Sequence, residues 1–178
     1  VALMEIQASR LGARTSPNGE PILLLEQNRA RWDQLLIRRG LAALDRAARI
    51  GVPRGTYVLQ AEIAACHARA RTNDETSWVR IVALYGELAR LEASPIVELN
   101  RAVAVSMAEG PAAGLAAVDA IAAAAALKGY HLLPAVRGDL LAKLGRRAEA
   151  RAEFERAASL AQNGRERALL LARAAAAY

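Results

Sequence analysis

Apolar residues recur every three or four positions along most of the chain, which is the pattern of amphipathic helices. A first helix is predicted over 1–14, with Leu3, Ile6 and Leu11 on its apolar side. The short run Ile22–Leu25 is interpreted as an extended apolar tether. Further helices are predicted at 29–49, 55–70, 76–92, 95–108, 111–126, 129–144, 147–161 and 165–177.

Proline, glycine and small polar residues mark the boundaries of these helices. Ser94 followed by Pro95 is typical of a helix start, because the N–H missing from a proline at the first helical position has no helical partner. Further breaks fall at Gly51-Val52-Pro53, Thr72-Asn73-Asp74, Gly110-Pro111, Gly129, Gly145 and Asn163-Gly164. Since helices joined by such short links are antiparallel neighbours, the sequence predicts an all-α array of helix hairpins.

The C-terminal half contains the pattern of a tetratricopeptide-type helix pair. Small Gly138 and Ala150 would let two helices approach closely, and Phe154 would fill the space between them. The full pattern comprises Gly138, Leu141, Gly145, Ala150, Phe154 and Ala157. A copy about 34 residues upstream is degenerate, with Ala104 where the pattern favours glycine. We therefore expect a right-handed α-solenoid of eight or nine helices, whose last helix caps the open end through Leu169, Leu170 and Leu171.

This organisation predicts three segments. Residues 1–28 would form an N-terminal helix and tether, 29–92 a helical subdomain with degenerate repeats, and 93–178 the tetratricopeptide-like repeats with the capping helix. Because the chain begins with Val1 rather than Met, we interpret it as part of a longer protein.

Charge and composition narrow the function classes. The net charge is +6, from 24 Lys and Arg against 18 Asp and Glu, and only Lys128 and Lys143 are lysines. The arginines alternate with acidic residues along the chain, which favours a solvated surface over a nucleic-acid stripe, although DNA contact remains an alternative. No signal peptide and no apolar run of membrane-spanning length is evident, so we expect a cytoplasmic protein without membrane contact.

The sequence contains few cysteine and histidine residues, the types that commonly act as nucleophiles, general bases or metal ligands. Cys66 is the single cysteine, and His67 and His131 are the two histidines. Adjacent residues on a helix point about 100° apart, so Cys66 and His67 are a poor metal-ligand pair. GxSxG, HExxH and Walker-type phosphate motifs are absent. We expect a non-enzymatic protein that binds no cofactor and no metal.

Two polar stretches remain as candidate interaction sites. Glu26, Arg29, Arg31 and Trp32 lie around one of the two tryptophans. One interpretation is a helix start capped by Asn28 with Trp32 in the core, and the other is a docking surface for an adjoining domain. In the second stretch, Asn100 shares a helix face with Ile96, Val103, Ala104 and Met107. We expect it to be partly buried, either tying helices together or contacting a peptide.

Five segments together resemble the C-terminal extension of a group of extracytoplasmic-function (ECF) RNA polymerase sigma factors. They are Leu23–Asp33 (LLLEQNRARWD), Tyr57–Ala68 (YVLQAEIAACHA), Trp78–Tyr85 (WVRIVALY), Ser94–Ala104 (SPIVELNRAVA) and Gly129–Leu133 (GYHLL). The opening Ala2-Leu3-Met4 resembles the start of that extension. In this group a two-domain promoter-binding sigma factor carries a helical, tetratricopeptide-like tail. The promoter- and polymerase-binding domains are absent from this chain, and the resemblance implies no catalytic residue.

The resemblance implies a regulatory, protein-interaction domain. Its partners would be the sigma domains of its own parent protein, core RNA polymerase through that parent, or a regulatory protein or peptide. By similarity to peptide-binding tetratricopeptide repeats, Glu98, Arg101, Asp139 and Lys143 would line a groove, with Asn100 as a further candidate. The alternatives are an arginine-rich domain that touches promoter DNA directly and a stand-alone scaffold of this repeat type.

Overall fold

The computed structural model describes residues 1–51 and 53–177, so the predicted break at Val52 lies outside the described residues. The chain divides into two compact units, Val1–Glu92 and Ala93–Tyr178. Over the described ranges every regular element is helical, apart from one isolated bridge between Thr15 and Pro21. The all-α prediction is confirmed.

The first unit contains four α-helices and three 3₁₀ turns among its described residues. The helices are α1 (Ala2–Ala8), α2 (Gln34–Ile50), α3 (Thr56–Arg69) and α4 (Trp78–Leu91), and the turns are Leu11–Ala13, Leu24–Glu26 and Arg29–Arg31. Helix α1 packs against α2 and α3, and α3 packs against α4. One apolar cluster forms around Ile6, Leu44 and Ala65, and another contains Trp32 and Ile37.

The N-terminal predictions need three corrections. The helix predicted over 1–14 ends at Ala8, because the buried Ser9 hydroxyl donates to the Ile6 carbonyl at 2.7 Å and competes with further helical bonding. The predicted tether is not fully extended, since a 3₁₀ turn begins at Leu24. The helix predicted from residue 29 starts at Gln34, because the Asp33 carboxylate accepts the first free backbone N–H groups.

The second unit is a succession of helices, each packed against the one before it. Their bounds are α5 (Pro95–Glu109), α6 (Pro111–Ile121), α7 (Leu132–Lys143), α8 (Arg147–Leu160) and α9 (Gly164–Ala176). Pro95 and Pro111 occupy the first helical positions, as predicted. Ser94 precedes α5 at the capping position, although its side chain makes no capping hydrogen bond. Helix α6 ends five residues earlier than predicted, and a 3₁₀ turn, Ala125–Leu127, follows it.

Helices α7 and α8 pack as the tetratricopeptide pattern predicts. A Cβ atom on Gly138 would lie 2.9 Å from Cε1 of Phe154, so only glycine allows this approach without movement of the ring. Leu141, Ala150 and Ala157 are fully buried. Gly145 turns the chain between the helices with φ +73°, a conformation that glycine adopts without strain.

In the upstream pair, α5 and α6, the close approach of the two helices is at a different position. Ala104 is buried on α5, but the close approach of α5 and α6 occurs at Gly114, where an added Cβ would lie 2.3 Å from Cβ of Ser106. In this pair the glycine at the close approach is therefore on the second helix, whereas in the α7–α8 pair it is on the first.

The last helix contributes less apolar surface than predicted. Leu170 and Ala174 of α9 are buried, whereas Leu169 and Leu171 are 36% and 49% exposed. Three successive leucines cannot all face the core, because neighbouring residues on a helix point about 100° apart. The prediction that all three face back onto the array is wrong for the outer two.

Candidate functional site

A buried arginine joins the 3₁₀ turn before α2 to the C-terminal end of α3. The Arg29 side chain is 8% exposed and belongs to the 3₁₀ turn before α2. Its guanidinium donates to the carbonyls of His67 and Ala70 at 2.9 and 3.1 Å and to the Thr76 hydroxyl at 2.9 Å. These bonds satisfy carbonyl groups at the C-terminal end of α3, which have no helical partners.

Trp32 lies against this guanidinium. The guanidinium carbons of Arg29 and Arg10 are 5.4 and 5.7 Å from the centroid of its ring, which is cation–π distance. Trp32 is 3% exposed, and its indole nitrogen has no hydrogen-bond partner among the described residues. Nearby His67 meets Trp78 edge to face, with ring centroids 5.2 Å apart.

Positive charge predominates around Arg29, Trp32 and His67. Among the described residues no carboxylate lies within 4 Å of the Arg29 guanidinium, and burial lowers the pKa of Arg29, an effect that the charge of Glu75 partly offsets. Burial, followed by the charges of Arg29 and Arg10, lowers the pKa of His67 to about 4. His67 is therefore neutral at pH 7, and its Nδ1 atom is buried without a partner in the described part of the chain.

A cavity of about 410 Å³ opens beside the buried arginine, and we call it the Arg29 cavity. Its wall combines three arginines with apolar side chains and contains no acidic residue. Arg69 and Arg71 are exposed at this wall, whereas Arg29 is buried. The lining residues are Arg29, Ala30, Trp32, Gln34, Ile37, Ala68, Arg69, Ala70 and Arg71. This arrangement can accept an anionic group next to an apolar one.

The four predicted docking residues separate into two classes. Trp32 packs in the core of the first unit, as one of the two interpretations predicted, and Arg29 is buried with it. Both are almost completely buried within the first unit, so neither offers an exposed face for an adjoining domain. Glu26 and Arg31 are exposed, and their docking role stays a prediction. Asn28 caps the 3₁₀ turn by accepting the Ala30 N–H at 3.0 Å.

The predicted groove residues on α5 lie at the surface of the second unit. Glu98 and Arg101 are half-exposed and form an ion pair at 3.4 Å. Asn100 is exposed, so the expectation that it is partly buried is wrong. The buried positions of this helix are Val97, Leu99, Ala102 and Ala104. Asn100 lies one turn before Ala104 but is itself exposed.

The predicted groove residues on α7 differ in their surroundings. Asp139 pairs with Arg173 of α9, and the Arg173 guanidinium also lies 4.8 Å from the centroid of the Phe154 ring. Asp139 and Arg173 are 34 residues apart, which matches the tetratricopeptide period. Lys143 is exposed at the end of α7. The structure thus brings Asp139 into a link between helices and leaves Lys143 on the surface.

The remaining chemically active groups are dispersed. Burial raises the pKa of the Cys66 thiol, which makes it a poorer nucleophile at neutral pH. His131 precedes α7 and lies 3.4 Å from the carboxylate of Glu166. Within residues 1–51 and 53–177, no three His, Cys, Asp or Glu side chains converge as a metal-ligand set. Among the helices of the same ranges, none is both long and apolar enough to span a bilayer.

Sequence reasoning missed the Arg29 cavity. Arg69 and Arg71 flank the predicted end of a helix at residue 70, and Thr76 is the first residue of the next predicted helix. Arg29 meets the His67 carbonyl across 38 residues of sequence, and no local pattern reports such a contact. The one available signal is the repeated arginine on either side of Ala70, next to the turn at 72–74.

Comparisons with known proteins extend over most of the chain. Residues 1–48 match a family described as a family of unknown function (DUF6596). The chain is 47% identical over 169 residues to an uncharacterized protein of Rhizobium meliloti (strain 1021). That alignment covers 95% of this chain and 39% of the relative, so the chain spans about two fifths of the length of the curated relative. No solved structure matches.

Proposed function

We propose that this chain is the C-terminal regulatory and protein-interaction domain of an ECF sigma factor. The proposal rests on the five-segment resemblance and on the similarity to a relative that is much longer than this chain. The single structural observation that carries it is the repeat packing of the second unit. A helical repeat with surface charges along successive helices is suited to hold another protein rather than to perform chemistry.

The packing of alternate helices supports this proposal. Helices α5 and α7 are in contact, and the Asp139–Arg173 ion pair links α7 to α9. In tetratricopeptide repeats the first helices of successive pairs line the binding face. Glu98, Arg101 and Lys143 are on α5 and α7 and remain accessible to a partner. In the proposed mechanism this face contacts the sigma domains, polymerase or a regulator, and thereby changes the rate of transcription initiation.

The test is transcription in vitro from a cognate promoter by the parent sigma factor with and without this region. A changed transcript yield in either direction supports a regulatory role, with a decrease indicating a stabilising contact and an increase an inhibitory one. An unchanged yield, with both proteins equally folded and equally bound to polymerase, would refute the proposal.

The groove is tested separately in the full-length factor. The Arg101→Ala, Lys143→Ala double variant removes two positive charges from α5 and α7. Arg46→Ala, Arg49→Ala is the matched control, since it removes two exposed charges from α2. We expect the first pair to alter transcription and the second to leave it unchanged, while the thermal midpoint changes little in either. If both leave transcription unchanged, the groove does not act in regulation.

The ion pairs of the chain weigh against direct DNA binding as the main function. Carboxylates pair with arginines throughout both units and reduce the positive charge available to phosphate. The paired arginines are Arg39, Arg54, Arg80, Arg101, Arg137, Arg146, Arg151, Arg156 and Arg173. Steep salt-dependent binding of the isolated chain to duplex DNA would revive this alternative.

A further inference from the structure

We propose that the Arg29 cavity binds a short acidic segment of a partner protein, with a carboxylate at the arginines and a neighbouring apolar side chain against the alanine and isoleucine wall. The proposal concerns the first unit, which the repeat groove of the proposed function does not include. It does not depend on the sigma-factor assignment, because binding is measured on the chain itself.

The positive charge of the cavity favours an anionic ligand. Three of its nine lining residues are arginines and none is acidic. Among the described residues, the guanidinium of Arg29 donates to two carbonyls and a hydroxyl, which are neutral acceptors and do not compensate its charge. The charge of Glu75 acts on Arg29, but the Glu75 carboxylate accepts the backbone N–H of Arg71 at 2.9 Å. A carboxylate bound here would gain charge-assisted hydrogen bonds in a partly desolvated place.

The two outer arginines are placed to receive such a ligand. Arg69 ends α3 and Arg71 follows two residues later, and both side chains are exposed at the cavity wall. Neither forms an ion pair among those described for the first unit. Planar guanidinium groups bind carboxylates through two parallel hydrogen bonds, so a bound carboxylate would have a defined orientation.

The apolar part of the wall and the volume of the Arg29 cavity favour an anion with an apolar neighbour. Ala30, Ile37, Ala68 and Ala70 line the same cavity, and a bare phosphate would leave these surfaces without a partner. The cavity volume of about 410 Å³ lies at the lower end of the range for ligand pockets. A cavity of this size holds a few side chains but not the backbone of a DNA duplex. The indole N–H of Trp32, buried without a partner among the described residues, is a spectroscopic reporter inside this wall.

The test is an NMR titration of the isotope-labelled 178-residue chain with a capped hexapeptide of alternating glutamate and leucine. We expect saturable shifts of the Trp32 indole signal and of the amides of Ala30 and Ala70. The same peptide with glutamine in place of glutamate should cause no saturable shift. Arg69→Gln, Arg71→Gln should weaken the binding about tenfold, and Arg46→Gln, Arg49→Gln, which removes the same charge from α2, less than twofold.

Three results would overturn the proposal. The first is the absence of a saturable shift at the cavity signals. The second is equal weakening by both double variants, which would mean that net charge alone attracts the peptide. The third is inorganic phosphate binding as tightly as the glutamate peptide, which would identify a site for small anions instead. Unchanged circular dichroism and thermal midpoints verify that the variants remain folded.

Discussion

The close approach of α5 and α6 at Gly114 leads to a sharp prediction about one methyl group. In a helix interior, replacing glycine by alanine ordinarily stabilises a protein, because alanine loses less backbone freedom on folding. In Gly114→Ala the new Cβ would lie 2.3 Å from Cβ and 2.9 Å from Cα of Ser106, and 3.2 Å from the Ala102 carbonyl oxygen. We expect this substitution to destabilise the second unit.

The magnitude follows from the contact distances. Carbon atoms pack at about 3.5–4.0 Å, so α5 and α6 must part by roughly 1 Å at this point. The atoms in the way are backbone and Cβ atoms, which cannot rotate aside, so the cost lies near the upper end of the roughly 1–3 kcal/mol typical of overpacking. Alanine's helix propensity offsets about 1 kcal/mol of it. The net loss in the free energy of unfolding is about 1–2 kcal/mol.

Gly86→Ala is the matched control. Gly86 lies inside α4, and an added Cβ there would meet no atom within 4 Å. The same chemical change should therefore stabilise the first unit by about 0.5–1 kcal/mol. Gly138→Ala should fall between the two, because the obstacle is the Phe154 ring, which has room to rotate in part.

The assay is urea unfolding followed by residue-resolved amide hydrogen exchange, which reports α5–α6 separately from α4. For a unit of this size each kcal/mol shifts the thermal midpoint by about 4–8 °C, so calorimetry provides a second reading. If Gly114→Ala stabilises α5–α6 as much as Gly86→Ala stabilises α4, the two helices do not approach as described and the reasoning fails.

Three further predictions concern buried and paired charges. Arg29→Met should lower the free energy of unfolding by about 2–4 kcal/mol, because it leaves two carbonyls and a hydroxyl without a donor; exposed Arg31→Met should change it by less than about 0.5 kcal/mol in the same urea titration. His67 has a folded pKa of about 4, below its unfolded value, so its contribution is fully present above about pH 6.5 and falls by up to about 1.4 kcal/mol per pH unit towards pH 4. His67→Leu should remove that slope. A double-mutant cycle with Asp139→Asn and Arg173→Gln should give a coupling below about 1 kcal/mol that vanishes in 1 M salt.

Local signals sufficed for most of the helical framework. Some helix boundaries depend only on the backbone geometry of one residue, as at Pro95, Pro111 and Gly145. These boundaries could therefore be predicted directly from the sequence. The Gly138–Phe154 contact also followed, because a repeat pattern encodes the pairing of two residues at a fixed separation. Where a side chain acts on its own backbone the prediction was weaker, as at Ser9, whose hydroxyl ends α1 early.

Long-range contacts account for the features that could not be predicted. Arg29 looks like a surface residue in any local window, and its burial depends on α3 ending opposite it, 38 residues away. Gly114 was not singled out, because the repeat pattern places its glycine on the first helix of a pair, whereas the α5–α6 pair has it on the second. Asn100 was expected to be partly buried from its apolar neighbours on the helix, but of these only Ala104 is buried, whereas Ile96 is exposed and Val103 is half-buried.

The position of Arg29 relates the stability of the first unit to its proposed binding role. A guanidinium without a paired carboxylate is costly to bury, but an apolar side chain in its place would leave two carbonyls and a hydroxyl without a donor. Three neutral acceptors hold the Arg29 guanidinium at the cavity wall before any ligand arrives. Such preorganisation reduces the entropy lost on binding. At equal peptide concentration, a bound acidic peptide should therefore raise the stability of the wild-type chain more than that of Arg69→Gln, Arg71→Gln, because the variant keeps Arg29 at the wall but lacks the two outer arginines.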